Sequence, residues 1–142
     1  MGIVVQKFGG SSVANTEKLY KVCEHIISEK EKGNKVVVVV SAQGKTTDEL
    51  IRQEKEITEH ADAREHDVLV SVGEQITIAK LAMLLIEKNY KAVSLTGWQI
   101  PIITNSEFTN ARIRYIHNET IENYLNCLID SYIVYKVSRY VI

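Results

Sequence analysis

A lysine, two glycines and two hydroxyls gather near the start of the chain, in Ile3-Val4-Val5-Gln6-Lys7-Phe8-Gly9-Gly10-Ser11-Ser12-Val13. The chemistry such a cluster supports is the holding of an anion, above all a phosphate. Lys7 places a charge at the end of an apolar run, and Gly9 and Gly10 let the backbone come close to a ligand. A helix that follows directly aims its free N–H groups at the same place. A strand-to-helix turn that merely uses glycine is built from the same residues. The adjacent glycines also lack the third glycine of a G-x-G-x-x-G dinucleotide fingerprint. Residue types alone leave both readings open.

Other candidates lie further along. Ser41 leaves a second apolar run and faces the crevice where open α/β sheets bind ligands. The string Gly44-Lys45-Thr46 invites comparison with a Walker A loop, but the first glycine of G-x-x-x-x-G-K-[ST] falls at Val39, inside a strand, so no backbone cradle can form. Lys45 is a solvated lysine or a second cation near phosphates. Glu74, directly after Gly73 at a helix start, gains from the helix dipole with or without a function. His25, His60, His66 and His117 show no partner in the sequence pattern and are read as solvated or packed. Cys23 and Cys127 have no spacing suited to zinc and are read as core or surface thiols of a reducing compartment.

The elements that must position these residues follow from periodicity. Residues 3–8 read as a buried strand that carries Lys7 to its carboxyl end. Apolar residues at Leu19, Val22, Cys23, Ile26 and Ile27 step by three and four, which predicts an amphipathic helix over 13–32, ended by Gly33-Asn34. Residues 36–40 are five valines, a strand buried on both faces and so part of a parallel sheet. Strand, helix and strand make a βαβ unit. Thr46 and Glu49 have capping-box spacing ahead of a helix bearing Leu50, Ile51 and Ile57. Residues 62–72 and 75–87 predict two more helices, broken at Gly73-Glu74. Residues 92–96 form a strand and residues 97–101 a turn in which Trp98 packs. Residues 102–104 add an edge strand, and Asn118 caps a last helix through Asn126.

At 142 residues, 45% hydrophobic and 25% charged, the chain has the composition of one soluble domain with a real core. A formal net charge of −1 gives no electrostatic case for nucleic acid or an anionic membrane. The N-terminal apolar run is too short for a signal peptide or a membrane span, and Gln6 breaks the myristoylation pattern, so a cytoplasmic location is expected.

The string Lys7-Phe8-Gly9-Gly10-Ser11-Ser12 resembles the Lys-Phe-Gly-Gly-Thr/Ser-Ser signature of aspartate kinases in the amino acid kinase family. The resemblance continues through the valine run into Ser41-Ala42, Thr46-Thr47-Asp48-Glu49-Leu50, Arg64-Glu65, Gly73-Glu74-Gln75, Thr96-Gly97-Trp98-Gln99 and Asn110-Ala111-Arg112-Ile113. It covers residues 1 to about 126. It implies a three-layer αβα sandwich with a mainly parallel sheet, of the amino acid kinase and carbamate kinase type. It also implies transfer of the γ-phosphoryl group of Mg-ATP to the β-carboxylate of L-aspartate, on the way to lysine, threonine and methionine. By the same carry-over Lys7 stabilises the transferring phosphate, while Lys7, Phe8, Gly9, Gly10 and Ser41 line the nucleotide phosphates. Ser11, Thr47 and Glu74 hold aspartate, with Glu74 on its α-ammonium. No protein metal ligand is implied within these residues.

The resemblance implies two parts: residues 1–126, the N-terminal part of an amino acid kinase domain, and residues 127–142, a divergent tail. The tail is β-prone, and a synonymous-codon reading of residues 137–141 shifted by one base gives Phe-Gln-Gly-Met, close to the string the family carries next. A frameshift is one origin for it; natural loss of the second half is the other. Either leaves a truncated kinase with an open sheet edge. The alternative function is a non-catalytic fragment, inert or assembling with a complete kinase subunit, and a homo-oligomer is a further expectation.

Overall fold

The computed structural model describes residues 2–127 and 131–136, with side chains through Leu125. In chain order the elements are β1 (Ile3–Phe8), a short 3-10 helix (Gly10–Val13), α1 (Thr16–Glu31), β2 (Lys35–Val40) and α2 (Thr46–Ile57). There follow α3 (Ala63–Val70), α4 (Val72–Glu87), β3 (Lys91–Leu95), β4 (Ile102–Thr104), β5 (Ile113–Ile116), α5 (Asn118–Cys127) and β6 (Ser131–Lys136).

The five valines of β2 place the core. Val36, Val38 and Val40 point to one face of a parallel sheet ordered β1-β2-β6-β3, and Val37 and Val39 to the other. On the first face α1 brings Leu19, Val22, Cys23 and Ile26, and α4 brings Ile78, Leu81 and Leu85. On the second, Val37 packs with Leu95, Ile100 and Leu125, the last from α5. Helices on both faces of a parallel sheet make the expected three-layer sandwich. Each large core side chain withdrawn from water is worth about 1.5–3 kcal/mol, so the valine run and the apolar stripes of α1 and α4 reinforce one another.

β1 differs from its expected burial. It pairs with β2 alone among the described strands, so it is an edge, and only Val4, Gln6 and Phe8 turn toward helix-covered core. Ile3 and Val5, on the other face, are 61% and 64% exposed because α5 covers that face over its neighbours and stops short of β1. β6, drawn from the tail, runs parallel between β2 and β3 as a central strand. Residues 137–142, on which the frameshift reading rests, lie outside the described residues.

Several local expectations shift for identifiable reasons. The helix expected over 13–32 begins at Thr16, because Asn15 caps it, its Oδ1 accepting from the Lys18 N–H at 2.9 Å; the 3-10 helix takes the preceding residues. Gly33 ends α1 with φ of +84°, as its position suggested. The capping box of α2 does not form. Lys45 is the N-cap, and the Thr46 hydroxyl instead donates to the Gln43 carbonyl at 2.6 Å.

The break between α3 and α4 falls at Ser71, and Gly73 lies inside the first turn of α4. The combined run Ala63–Glu87 is long and apolar enough to cross a membrane by length and composition. Ile78, Leu81 and Leu85 pack into the core, which accounts for that apolarity. β4 pairs antiparallel with β5 in a separate two-stranded ribbon and is not an edge of the main sheet. Asn118 opens α5 from within, its Nδ2 donating to Glu122 Oε1 at 3.0 Å.

Two side chains also depart from their expected surroundings. Trp98 is 55% exposed, and Ile100 fills the core in its place. His66 has a partner after all: its Nδ1 lies 2.7 Å from Glu54 Oε2, joining α3 to α2. His117, read as solvated or packed, meets the Tyr115 ring edge-on at 4.6 Å between centroids.

Candidate active site

Parallel register sets Phe8 beside Val40, so β1 and β2 release their chains side by side at one end of the sheet. The two exits are then stitched together. The Ser41 N–H donates to the Phe8 carbonyl at 3.1 Å, and the Gly44 N–H to the Gly10 carbonyl at 2.9 Å. Gly10 is required by this closeness, since a Cβ there would stand 2.8 Å from the Ala42 carbonyl oxygen. Gly9 is different. Its backbone is extended at φ −76°, ψ 168°, and a Cβ there would meet nothing within 4 Å among the described residues, so neither conformation nor packing against those residues demands a glycine.

The start of α4 seats on the same segment. A Cβ on Gly73 would lie 2.8 Å from the Ala42 Cβ and 3.6 Å from Thr46 Cγ2, so the absence of a side chain lets the helix come down onto residues 42–46. Glu74 follows in the first helical turn, partly buried, with Oε2 out of solvent. The N-terminal end of a helix dipole favours a carboxylate there. Residues 8–13, 41–46 and 73–74 are therefore one packed unit. It holds Phe8, Gly9, Gly10, Ser11, Ser41 and Glu74 from the sequence-derived set, with Thr47 directly adjoining in the first turn of α2.

Lys7 stands apart from the rest. It is exposed, it alternates with Phe8 and so leaves β1 on the opposite face, and it makes no ion pair among the described residues. A cleft of about 440 Å³ opens on the Phe8 side, lined by Ser11, Ser12, Lys18, Lys21 and His25. Lys7, Ser41, Thr47 and Glu74 do not line it. Its lysines are engaged: Lys18 Nζ donates to the Ser11 carbonyl at 2.8 Å, and Lys21 pairs with Glu17 at 2.9 Å. The Lys21 ammonium holds the Glu17 carboxyl below its ordinary range, and Glu17 raises Lys21 in return. Beneath α1, burial pushes the Cys23 thiol up.

Among the described residues no three His, Cys, Asp or Glu side chains come together to hold a metal ion. Three residues that shape the glycine segment escaped sequence reasoning. Gln43 Nε2 donates to the Val13 carbonyl at 2.7 Å, Lys80 Nζ donates to Gln43 Oε1 at 2.7 Å, and Lys18 holds Ser11. The first two contacts join residues 30 and 37 positions apart, so no local spacing announces them.

Residues 2–135 match the sequence model of the amino acid kinase family. The chain belongs to that family. The match runs into β6, beyond the point where motif resemblance ends. Within the family the chain is similar to the aspartokinase of Bacillus sp. (strain MGA3), 54% identical over 126 residues, and to that of Geobacillus stearothermophilus, 56% identical over 126 residues. Each alignment takes in 89% of this chain and 31% of the relative, so the chain spans about a third of the length of these curated relatives.

Among solved structures, the aspartate kinase from Synechocystis superposes with a TM-score of 0.78 at 37% identity, over 98% of this chain and 23% of that one. The carbamate kinase from Giardia lamblia, bound to AMP-PNP, superposes at 0.66 with 12% identity, over 94% and 55%, which shows the amino acid kinase fold.

Proposed function

We propose that this chain carries the phosphate-gripping and amino-acid-gripping part of an aspartate kinase active site, for transfer of the γ-phosphoryl group of ATP to the β-carboxylate of L-aspartate. The observation that supports it is the convergence of residues 8–13, 41–46 and 73–74 at the carboxyl ends of β1 and β2. That convergence occurs in a chain 50–56% identical to aspartokinases over 125–126 residues.

In this reading an aspartate β-carboxylate oxygen forms a bond to the γ-phosphorus as the bond to the β,γ-bridging oxygen breaks, and ADP leaves with that oxygen. Such transfers pass through loose transition states, so positioning and charge neutralisation supply the catalysis. The Lys7 ammonium stabilises charge on the transferring group. The N–H groups at Gly9 and Gly10 and the Ser41 hydroxyl line the nucleotide phosphates, beside Phe8. Ser11 and Thr47 hold aspartate by hydroxyl contacts, and Glu74 pairs with its α-ammonium. Mg²⁺ enters with the nucleotide as part of the Mg-ATP substrate. The reading carries with it a cytoplasmic location and a role in supplying lysine, threonine and methionine.

A second reading, a non-catalytic fragment that pairs with a complete kinase subunit, is favoured by one feature: among the described strands β1 is an edge, and its outward Ile3 and Val5 are mostly exposed. Aspartate-dependent ADP release by the purified chain with Mg-ATP, with acetylglutamate as control acceptor, tests the first reading. Turnover with aspartate alone supports it. A folded chain that binds Mg-ATP without turnover, and that co-elutes with a full-length aspartokinase, supports the second.

A further inference from the structure

Four carbonyls of the glycine segment are held by donors from the chain itself. The Ser12 N–H donates to Gly9 O and the Gly44 N–H to Gly10 O, both at 2.9 Å. Lys18 Nζ donates to Ser11 O at 2.8 Å, and Gln43 Nε2 to Val13 O at 2.7 Å. A carbonyl oxygen is the negative end of its peptide dipole, and one left free beside a bound anion repels it. Turning these oxygens onto internal donors removes that repulsion.

Gln43 is the most constrained of the donors. The Val13 carbonyl can only accept, so it selects the amide nitrogen; the Lys80 ammonium can only donate, so at 2.7 Å it selects the amide oxygen. Both partners fix the same orientation of the amide. Lys80 lies on α4, about 9 Å along the helix from Glu74 at 1.5 Å per residue. Gln43 therefore links the glycine segment to the helix that carries Glu74. Ala42, its neighbour, is the residue on which both Gly10 and Gly73 close.

We infer that Gln43, clamped by Lys80, is a positioning residue that fixes the conformation of residues 9–13 and their register against α4. The inference rests on the reading of residues 9–13 as a phosphate-binding segment. Gln43→Met keeps the length of the side chain and removes both hydrogen bonds. Gln43→Glu sets a carboxylate oxygen against the Val13 carbonyl oxygen. Lys80→Met, at an exposed position, removes only the outer clamp.

The test is peptide-resolved hydrogen exchange on the full 142-residue chain, paired with titration by Mg-ADP. Gln43→Met is expected to speed exchange in residues 9–14 by about 2- to 10-fold, the equivalent of one net hydrogen bond. Gln43→Glu is expected to do more and Lys80→Met less, with β2 and the centre of α1 unchanged. Mg-ADP affinity falls in the same order, whereas a surface variant, Glu56→Gln, changes neither readout. Unaltered exchange in residues 9–14 of Gln43→Met overturns the inference. If Gln43→Met loosens the whole fold, Lys80→Met decides: a rise confined to residues 9–14 supports the inference, and no rise overturns it. A wild-type chain that binds no Mg-ADP contradicts the phosphate reading, and the exchange pattern still decides whether Gln43 holds the segment.

Discussion

The Ala42 carbonyl oxygen occupies the space that a side chain on Gly10 would need, 2.8 Å from its Cβ position, while a side chain on the adjacent Gly9 would meet none of the described residues within 4 Å. Packing accounts for Gly10, and ligand approach, in the proposed reading, for Gly9. Gly10→Ala must shift backbone against backbone and is expected to cost about 1–3 kcal/mol, visible as a lower urea midpoint. Gly9→Ala is expected to leave that midpoint unchanged or slightly raised, since Ala accepts the extended backbone, yet to weaken Mg-ADP binding. Unchanged nucleotide affinity in Gly9→Ala would remove the ligand from that side of the loop.

Gly73 poses the complementary test on α4. Alanine is favoured over glycine inside a helix by about 1 kcal/mol, so propensity alone makes Gly73→Ala stabilising. Contact with the Ala42 Cβ at 2.8 Å reverses the sign. Net destabilisation of about 1–2 kcal/mol is expected, with recovery in the double variant Gly73→Ala, Ala42→Gly. Equilibrium urea unfolding of the four proteins checks both the sign and the coupling; additive effects would contradict the packing assignment.

Acid sensitivity is expected in α2, which buries none of its side chains. Arg52 donates to Glu49 and also pairs with Glu56, and the Glu49 carboxyl is brought from its ordinary 4.5 down to about 2, chiefly by that hydrogen bond. A depressed folded-state value means that the stabilisation is present above the unfolded value, near 4.5, and is lost as pH falls toward 2. Amide exchange or chemical shifts across residues 46–57 should therefore report progressive fraying between those limits. Glu49→Gln should show a smaller pH response in the same window.

The parts of the fold legible in the sequence were those set by local pattern. Five successive valines mark β2, the three-and-four spacing of Leu19, Val22 and Ile26 marks α1, and Gly33 marks its end. The strings that carry Gly10, Ser41 and Glu74 are visible as motifs, but their packing against one another is not, because the contacts join positions about 30 residues apart. β6 enters the middle of the sheet from about 90 residues beyond β2, and pairing at that separation leaves no local trace. β5 carries four exposed residues and so has no buried face to advertise it. Glycine usually weakens helices, so the sequence puts a break at Gly73, but Gly73 serves close approach to Ala42 and the break falls at Ser71. β1 is less buried than its apolar run suggests, because such a run does not reveal how many neighbouring strands it has.

Titration calorimetry of the purified chain with Mg-ATP, wild type beside Lys7→Met, tests the central claim most directly. Lys7 is exposed on a strand edge, so its replacement should leave far-UV circular dichroism and the unfolding midpoint unchanged. The expected result is saturable binding by the wild type, weakened at least about tenfold in the variant, as loss of one charge-assisted phosphate contact requires. Equal binding by the two proteins, or none by a folded wild type, would contradict the assignment of Lys7 and the glycine segment to the nucleotide phosphates.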